Sequence, residues 1–208
     1  MIEIILLISA VLFIFALKLF GRPSTAHRAN SFAMLAMALA VFSAFNFDFS
    51  KYDSAFYITI VVSGLLGVLI SKRVQMTQMP ELVGLFNGFG GGASGAIAYV
   101  ELSNTSLPIS DVFVAIFSMV IGIFTFSGSL IAVLKLRGKL NNFSTKLGNI
   151  FSVFLPTILI IPAVLEMDTF LNEFIILVAL IAGVIRVAVI GGADMPVVIA
   201  FLNSLSGI

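Results

Sequence analysis

The chain has no cysteine, only one histidine and very few charged residues. Without cysteine there is no disulfide framework, no thiolate nucleophile and no cysteine-bound metal or iron–sulfur cluster. The single histidine, His27, lies in a basic loop, where a histidine is usually solvated. No Ser-His-Asp arrangement, metal-ligand spacing or phosphate loop is present. Standing alone, the chain therefore shows no means of covalent chemistry, and we predict no catalytic residue, metal ligand or nucleotide-binding residue in it.

Long apolar runs dominate what is present. Hydrophobic residues make up 60% of the 208 residues and charged residues 10%, whereas a soluble domain carries about a quarter charged residues. Such runs, apolar on all sides, predict an all-α bundle of transmembrane helices. We predict about seven full spans and the start of an eighth. They cover roughly residues 2–20, 31–47, 55–72, 80–100, 110–135, 149–165 and 170–190, and then 195 onward.

The first apolar run is predicted to be a helix that stays in the membrane. Residues 2–17 are too long for the core of a signal peptide, and basic residues follow the run instead of preceding it. Every Lys and Arg except Lys51 falls on one side of the predicted spans. The positive-inside rule makes that side cytoplasmic and places the N-terminus outside. The last segment has only 14 residues from Met195, too few to cross the membrane.

Two acids on the cytoplasmic side, Glu81 and Asp194, each adjoin a Met-Pro pair at a predicted helix start. The segments after them resemble each other: "MPELVGLFNG" (79–88) and "MPVVIAFLNS" (195–204). Proline suits a first helical turn because its missing N–H would be unpaired there. In each copy an asparagine follows the proline by seven residues, about 10 Å along a helix. Asn87 and Asn203 are therefore expected at similar depth in two parallel helices.

A glycine cluster, "GFGGGA" (88–93), formally fits the dinucleotide pattern G-x-G-x-x-G/A. That pattern requires a preceding strand and a helix N-terminus, and this cluster lies inside an apolar helix. Helix packing is the better interpretation, because rows of small residues let membrane helices approach closely. The row consists of Gly84, Gly88, Gly92 and Ala96, with Gly91 and Gly95 beside it.

The polar residues on these helices have two interpretations each. A lone intramembrane asparagine is usually an interhelical hydrogen bond, but two at matched depth favour a shared hydrated path. Glu81 is either a helix-start acid favoured by the dipole or part of the path's mouth. Asp194 follows Arg186 by eight residues across "GGAD", so the two are expected to pair or to gate the path. The hydroxyls of "TFSGS" (125–129) either satisfy backbone carbonyls or line water, and we include Ser129 in the path.

At these residues the sequence resembles a known family. "KRVQMTQMPELVGLFNGFGGGASGAIAYVE" and "IGGADMPVVIAFLNSLSG", with "TFSGS" and "TAHRAN", resemble the membrane domain of the beta subunit of proton-translocating nicotinamide nucleotide transhydrogenase. The resemblance covers essentially the whole chain. It implies an enzyme that couples hydride transfer between NAD(H) and NADP(H) to proton movement, with both nucleotides bound in soluble domains outside this chain.

The resemblance also implies partners and a location. They are an alpha subunit with its NAD(H) domain and membrane helices, an NADP(H)-binding domain, a lipid bilayer and a dimer of the complex, without nucleic acid. Residues 1–208 are interpreted as a transmembrane proton-translocating domain that lacks its last part and the NADP(H) domain. Since residue 2 already begins a span, a split-subunit enzyme in a bacterial inner membrane is expected.

One departure concerns Asn87, because many family members carry a histidine there that looks like a proton relay. In some members the histidine instead sits on a partner-subunit helix facing the same channel. We expect that arrangement here, with Asn87 and Asn203 holding waters. Two rival functions stay open: a secondary transporter for a small solute, and a structural assembly subunit whose polar residues only join helices.

Overall fold

The computed structural model of the chain describes residues 2–44, 52–103, 107–140 and 169–207. Within these ranges all long elements are α-helices and there is no strand. The helices are α1 (Ile2–Phe20), α2 (Ala26–Ala44), α3 (Ser54–Arg73), α4 (Met79–Leu102), α5 (Ile109–Leu136), α6 (Thr169–Ala188) and α7 (Met195–Ser206). The predicted span over 149–165 lies outside the described residues.

Four of these helices are long and apolar enough to cross a membrane: α1, α3, α5 and residues Leu171–Ala188 of α6. The prediction of an all-helical membrane protein is therefore confirmed at this level. Helices α2 and α4, with 19 and 24 residues, coincide with two further predicted spans. Helix α7 has 12 residues and is about 18 Å long. The total of spans and the side on which the N-terminus lies stay predictions.

The chain divides into two compact units, Met1–Lys72 and Arg73–Ile208. In the first unit, α1 and α2 form an antiparallel hairpin around the short turn Pro23–Thr25. The Ser9 hydroxyl donates a hydrogen bond of 2.7 Å to the carbonyl oxygen of Ala36 across the hairpin. Helix α3 of this unit buries none of its side chains within the chain. Such an all-round apolar surface is typical of a helix surrounded by lipid or by neighbouring helices.

Helix α5 is the centre of the second unit, where α4, α6 and α7 all pack against it. Gly84 of α4 faces Val133, and Gly95 faces Ile123, so α4 runs antiparallel to α5. Helix α7 is also antiparallel to α5, because Gly128 faces Leu202 whereas Gly192, just before α7, lies beside the end of α5. The two helices that begin with Met-Pro are therefore parallel to each other.

The α4 and α5 backbones meet at Gly91 and Gly122. A Cβ atom added to Gly122 would lie 2.5 Å from the carbonyl oxygen of Gly91 and 2.6 Å from the amide nitrogen of Gly95. Real Cβ atoms do not approach so closely, so both helices require glycine here. On the other flank of α5, a Cβ atom at Gly183 of α6 would collide with Ser127 and with the backbone of Phe124.

Two apolar clusters fill the second unit at opposite ends of α5. The first joins α4, α5 and α6 and consists of Ala98, Leu102, Val112, Ala115, Ile116, Met119, Val120, Ile175 and Ala179. The second joins α5, α6 and α7 and consists of Ala132, Val187, Met195, Ile199 and Leu202. Between the two clusters, α5 carries the buried polar residues Thr125, Ser127 and Ser129, of which Thr125 and Ser129 belong to the candidate site.

We predict that Gly122→Ala destabilises the second unit by about 1–3 kcal/mol, since the added methyl group forces two backbones apart. Gly90→Ala is the matched control, because nothing lies within 4 Å of a Cβ atom at Gly90. The thermal midpoint of the detergent-solubilised complex should fall for Gly122→Ala and stay near wild type for Gly90→Ala. Equal midpoints for the two variants would contradict the close packing.

Candidate functional site

A hydrogen bond between side chains joins the first half of α4 to the second half of α5. The Asn87 amide nitrogen donates to the Ser129 hydroxyl oxygen at 2.9 Å. Ser129 is fully buried and Asn87 is half-buried. The bond is possible because the neighbouring Gly88 lets α4 approach: a Cβ atom there would lie 3.2 Å from the Ser129 Cβ atom. The structure thus brings together two of the residues predicted for the path.

Thr125 lies one helical turn from Ser129 on α5 and is also fully buried. Its Cβ and methyl group face Gly91, where an added Cβ atom would lie 2.8 Å from each. Its hydroxyl oxygen has no hydrogen-bond partner within the described part of the chain. Leaving a buried hydroxyl unpaired costs about 1–3 kcal/mol. We therefore expect the Thr125 hydroxyl to have a functional role or to bind a water molecule.

An ion pair closes the same face of α5 at its C-terminal end. The Arg137 Nε atom donates to a carboxylate oxygen of Glu81 at 2.6 Å. The exposed fractions of the side chains are 44% for Arg137 and 18% for Glu81. A pair this accessible to water contributes roughly 0–1 kcal/mol, so it orients the carboxylate more than it stabilises the fold. We call the line of Glu81, Asn87, Thr125, Ser129 and Arg137 the α4–α5 seam.

The α4–α5 seam follows a regular spacing on α5. Thr125, Ser129 and Arg137 lie four and eight residues apart and therefore share one helix face. The distance along the axis from Thr125 to Arg137 is about 18 Å, since an α-helix rises 1.5 Å per residue. The seam is thus a row of hydrogen-bonding groups that starts at the end predicted to be cytoplasmic and reaches into the middle of the bundle.

Helix α7, the second helix that begins with Met-Pro, lies beside α4 but places its asparagine differently. A Cβ atom at Gly84 of α4 would lie 2.9 Å from the Ile199 side chain of α7, so the two helix starts are level. Asn203, however, is exposed on α7 and makes no hydrogen bond to Asn87 or Ser129. The repeat therefore produces two parallel helices, of which only α4 directs its asparagine to α5.

Asp194 and Arg186 are not joined by an ion pair in the part of the chain that the structure describes. Both are exposed, on either side of the connection between α6 and α7. The described residues therefore show no pairing between them, and a gating role of the two residues stays a prediction. Of the two acids beside the Met-Pro pairs, Glu81 is the one with an ion-pair partner among the described residues, and that partner, Arg137, directly follows α5.

The predicted packing glycines lie along the contact with α5. Gly84, Gly88 and Gly95 are buried there, and Gly92 lies against the Phe126 ring at 3.1 Å from an added Cβ atom. The cluster at 88–93 lies well inside α4, whose first residue is Met79. Its backbone N–H groups are part of the helix and do not form a phosphate-binding N-terminus.

The sequence-based predictions do not single out Thr125 and Arg137 of the site, nor the buried Lys135 on the other flank of α5. In the sequence, Lys135 and Arg137 serve only to predict the orientation of the chain in the membrane. Thr125 is one of several hydroxyl-bearing residues on its helix. The signal for Thr125 and Arg137 is their spacing from Ser129 on one helix face. Lys135 lies on the opposite side of α5 and has no comparable signal, because its burial depends on α6.

We predict that Ser129→Ala destabilises the complex by about 1–3 kcal/mol, because it leaves the half-buried Asn87 amide without its acceptor. Adding Asn87→Leu should recover part of the loss, since replacing both partners by apolar groups is nearly neutral. Ser127→Ala is the control, because Ser127 donates only to Phe124 of its own helix, at 3.2 Å. Thermal midpoints are measured for wild type and the three variants. A double variant less stable than Ser129→Ala would contradict the role given to the Asn87–Ser129 hydrogen bond.

Comparisons with known proteins agree with the features just described. Residues 2–208 match the family model described as NAD(P) transhydrogenase beta subunit. Two curated relatives from Rhodospirillum rubrum, one of them from a named strain, are called NAD(P) transhydrogenase subunit beta. Each is 31% identical to this chain over 215 aligned positions, which cover 97% of the chain and 46% of the relative. The chain thus spans about half the length of these relatives. It belongs to the NAD(P) transhydrogenase beta subunit family.

Proposed function

We propose that this chain is the proton-conducting membrane domain of an NAD(P) transhydrogenase. In the holoenzyme it couples hydride transfer between NAD(H) and NADP(H) to proton translocation across the membrane. The observation that carries this proposal is the match of residues 2–208 to the beta subunit family, and the buried Thr125 hydroxyl, one turn from the Asn87–Ser129 bond, is a polar group that helix packing does not account for. Ionisable residues within membrane spans typically mark ion or proton paths, whereas serine, threonine and asparagine also join helices by hydrogen bonds, so a test has to separate the two roles.

Protons cross such a site on water, with the side chains as a fixed lining. A serine or threonine hydroxyl both donates and accepts hydrogen bonds, and an asparagine amide offers two donors and one acceptor oxygen. Ser129 accepts a hydrogen bond from Asn87, which leaves the serine proton free to reorient toward a water. An amide does not take up a proton at neutral pH, so a titratable relay is expected on a helix of a partner subunit.

The path opens toward the cytoplasmic side between the starts of α4 and α7. Glu81 is held there by Arg137, whereas Asp194 is exposed at the beginning of α7. Within the described residues Asp194 makes no ion pair and no capping hydrogen bond. It is therefore free to exchange protons with water or to contact the NADP(H)-binding domain. Asn203, exposed on α7, extends the polar lining on the side where further helices pack, and Arg186 adds positive charge near the mouth.

The chemistry of hydride transfer takes place outside this chain. The chain acts as an enzyme subunit, and its glycine cluster does not serve as a nucleotide site, because the cluster is helix interior. Its partners are the alpha subunit, which supplies the NAD(H) domain and membrane helices, and the NADP(H)-binding domain. The holoenzyme is a dimer of the complex in the inner membrane of a bacterium, with this chain as a multi-pass component.

We predict that Asp194→Asn lowers NADPH-driven proton uptake and hydride transfer together. The measurement uses vesicles that contain the complete complex, NADPH and an NAD analogue, with a pH-sensitive dye for uptake. A loss of about tenfold or more is expected if the charge acts in the coupled transition state. Asp111→Asn is the control, since Asp111 is an exposed acid in the first turn of α5, at the opposite end.

Wild-type rates in Asp194→Asn would remove this residue from the path and favour a purely structural role. No nucleotide-dependent proton movement in the wild type would contradict the proposed function itself. Solute-driven ion flux without any pyridine nucleotide would then identify the chain as a secondary transporter.

A further inference from the structure

A buried lysine lies at the end of α5 and is not used by the path described above. The Lys135 side chain is 5% exposed, although it is a cation near the end of an apolar helix. Its ammonium group donates to the carbonyl oxygen of Ile190 at 2.5 Å and also to that of Ala188. Cations this well buried are costly unless hydrogen bonds compensate for the lost water.

The two acceptors are backbone groups that the fold would otherwise leave unpaired. Helix α6 ends at Ala188, and the last carbonyls of a helix have no partner within it. A cation at a helix C-terminus also interacts favourably with the helix dipole. Lys135 therefore caps α6 from a neighbouring helix and ties the first residues of the α6–α7 connection to α5.

The connection that follows is short and includes a turn of 3-10 helix over Gly192–Asp194. It contains Gly191 and Gly192, and glycine has the largest conformational freedom of any residue. The connection lies directly against α5, since a Cβ atom at Gly192 would be 3.5 Å from the Lys135 carbonyl oxygen. Asp194 comes two residues later and begins α7. The position of Asp194 relative to α5 thus depends on what restrains this short segment.

Arg137 makes the corresponding tie to the other Met-Pro helix. It lies two residues after Lys135 and pairs with Glu81, in the first turn of α4. The last turn of α5 and the residue after it therefore hold the beginnings of both α4 and α7. A displacement at either helix start is passed to α5, which carries Ser129.

We propose that Lys135 is a positioning residue for the proton path: its ammonium group holds the end of α6 and so fixes the α6–α7 connection and Asp194. This inference rests on the proposed function. Lys135 does not contact protons in transit. It sets the mouth of the path relative to the Asn87–Ser129 bond, so that α7 and α5 move as one when the NADP(H)-binding domain changes state.

The test compares three variants in vesicles that contain the complete complex. Lys135→Met keeps the length and the apolar stem of the side chain and removes the ammonium donors. Lys135→Arg keeps a positive charge and N–H donors that can reach two carbonyl oxygens. Lys139→Met is the matched control, because Lys139 is an exposed lysine four residues further on. We expect Lys135→Met to lower nucleotide-driven proton uptake about tenfold or more, as the loss of hydrogen bonds from a charged group implies. Lys135→Arg should restore most of it, and Lys139→Met should match wild type.

A second readout measures position without relying on proton movement. Spin labels at Thr77→Cys and Ala193→Cys, both exposed beside the two Met-Pro starts, report the distance between these starts. This chain has no cysteine of its own. Any cysteines in the other subunits of the complex are replaced, so that the spin labels react only at the two introduced positions. The distance distribution should be narrow in wild type and Lys135→Arg, and broad or shifted in Lys135→Met.

An unchanged distribution in Lys135→Met would overturn the proposal, as would failure of Lys135→Arg to restore both readouts. Wild-type proton uptake in Lys135→Met would overturn it as well. If the wild-type complex itself moves no protons, the proposed function fails. The spin-label distances then still decide whether Lys135 restrains the connection.

Discussion

The distance between α4 and α5 depends on glycine having no Cβ atom. At Gly91 and Gly122 the two backbones touch, and a Cβ atom on Gly122 would lie 2.5 Å from the opposite carbonyl oxygen. Because the helices are this close and antiparallel, the short side chains of Asn87 and Ser129 reach each other at 2.9 Å. A wider spacing would leave both groups without a partner in an apolar region, where an unpaired polar group is costly. Helix packing and the polar site therefore have one cause.

Helix α5 combines packing and function because each of its faces serves a different neighbour. One face carries the α4–α5 seam, and the opposite face meets α6, where Lys135 caps the end of that helix. Apolar clusters lie at both ends and hold α5 in place, while its middle is polar. The proposed proton path needs few titratable groups in this chain, since water and hydroxyls would carry the proton between fixed donors and acceptors. That economy agrees with a sequence that has one histidine and few charges.

Much of this architecture can be predicted from the sequence. The contacts between helices cannot, for physical reasons that particular residues show. The membrane class and most helix positions follow from the long apolar runs, and the glycine row on α4 predicts close packing. Pairing across helices is harder, because it depends on register and rotation that a single helix does not contain. Arg186 and Asp194 are close in sequence yet form no ion pair with each other among the described residues, whereas Glu81 and Arg137 are distant in sequence and in contact. The burial of Lys135 is likewise set by α6, so its own segment gives no sign of it.

The central claim is that the polar contact between α4 and α5 carries the protons of the transhydrogenase reaction. The most direct measurement compares wild type with Asn87→Leu in vesicles of the complete complex, recording hydride transfer and proton uptake at the same time. Leucine has a similar volume and offers no hydrogen bond, and the assembly of each variant complex is measured separately. The account predicts that both rates fall together, by about tenfold or more, because the two processes are coupled. Wild-type proton uptake in Asn87→Leu, with the complex intact, would contradict it.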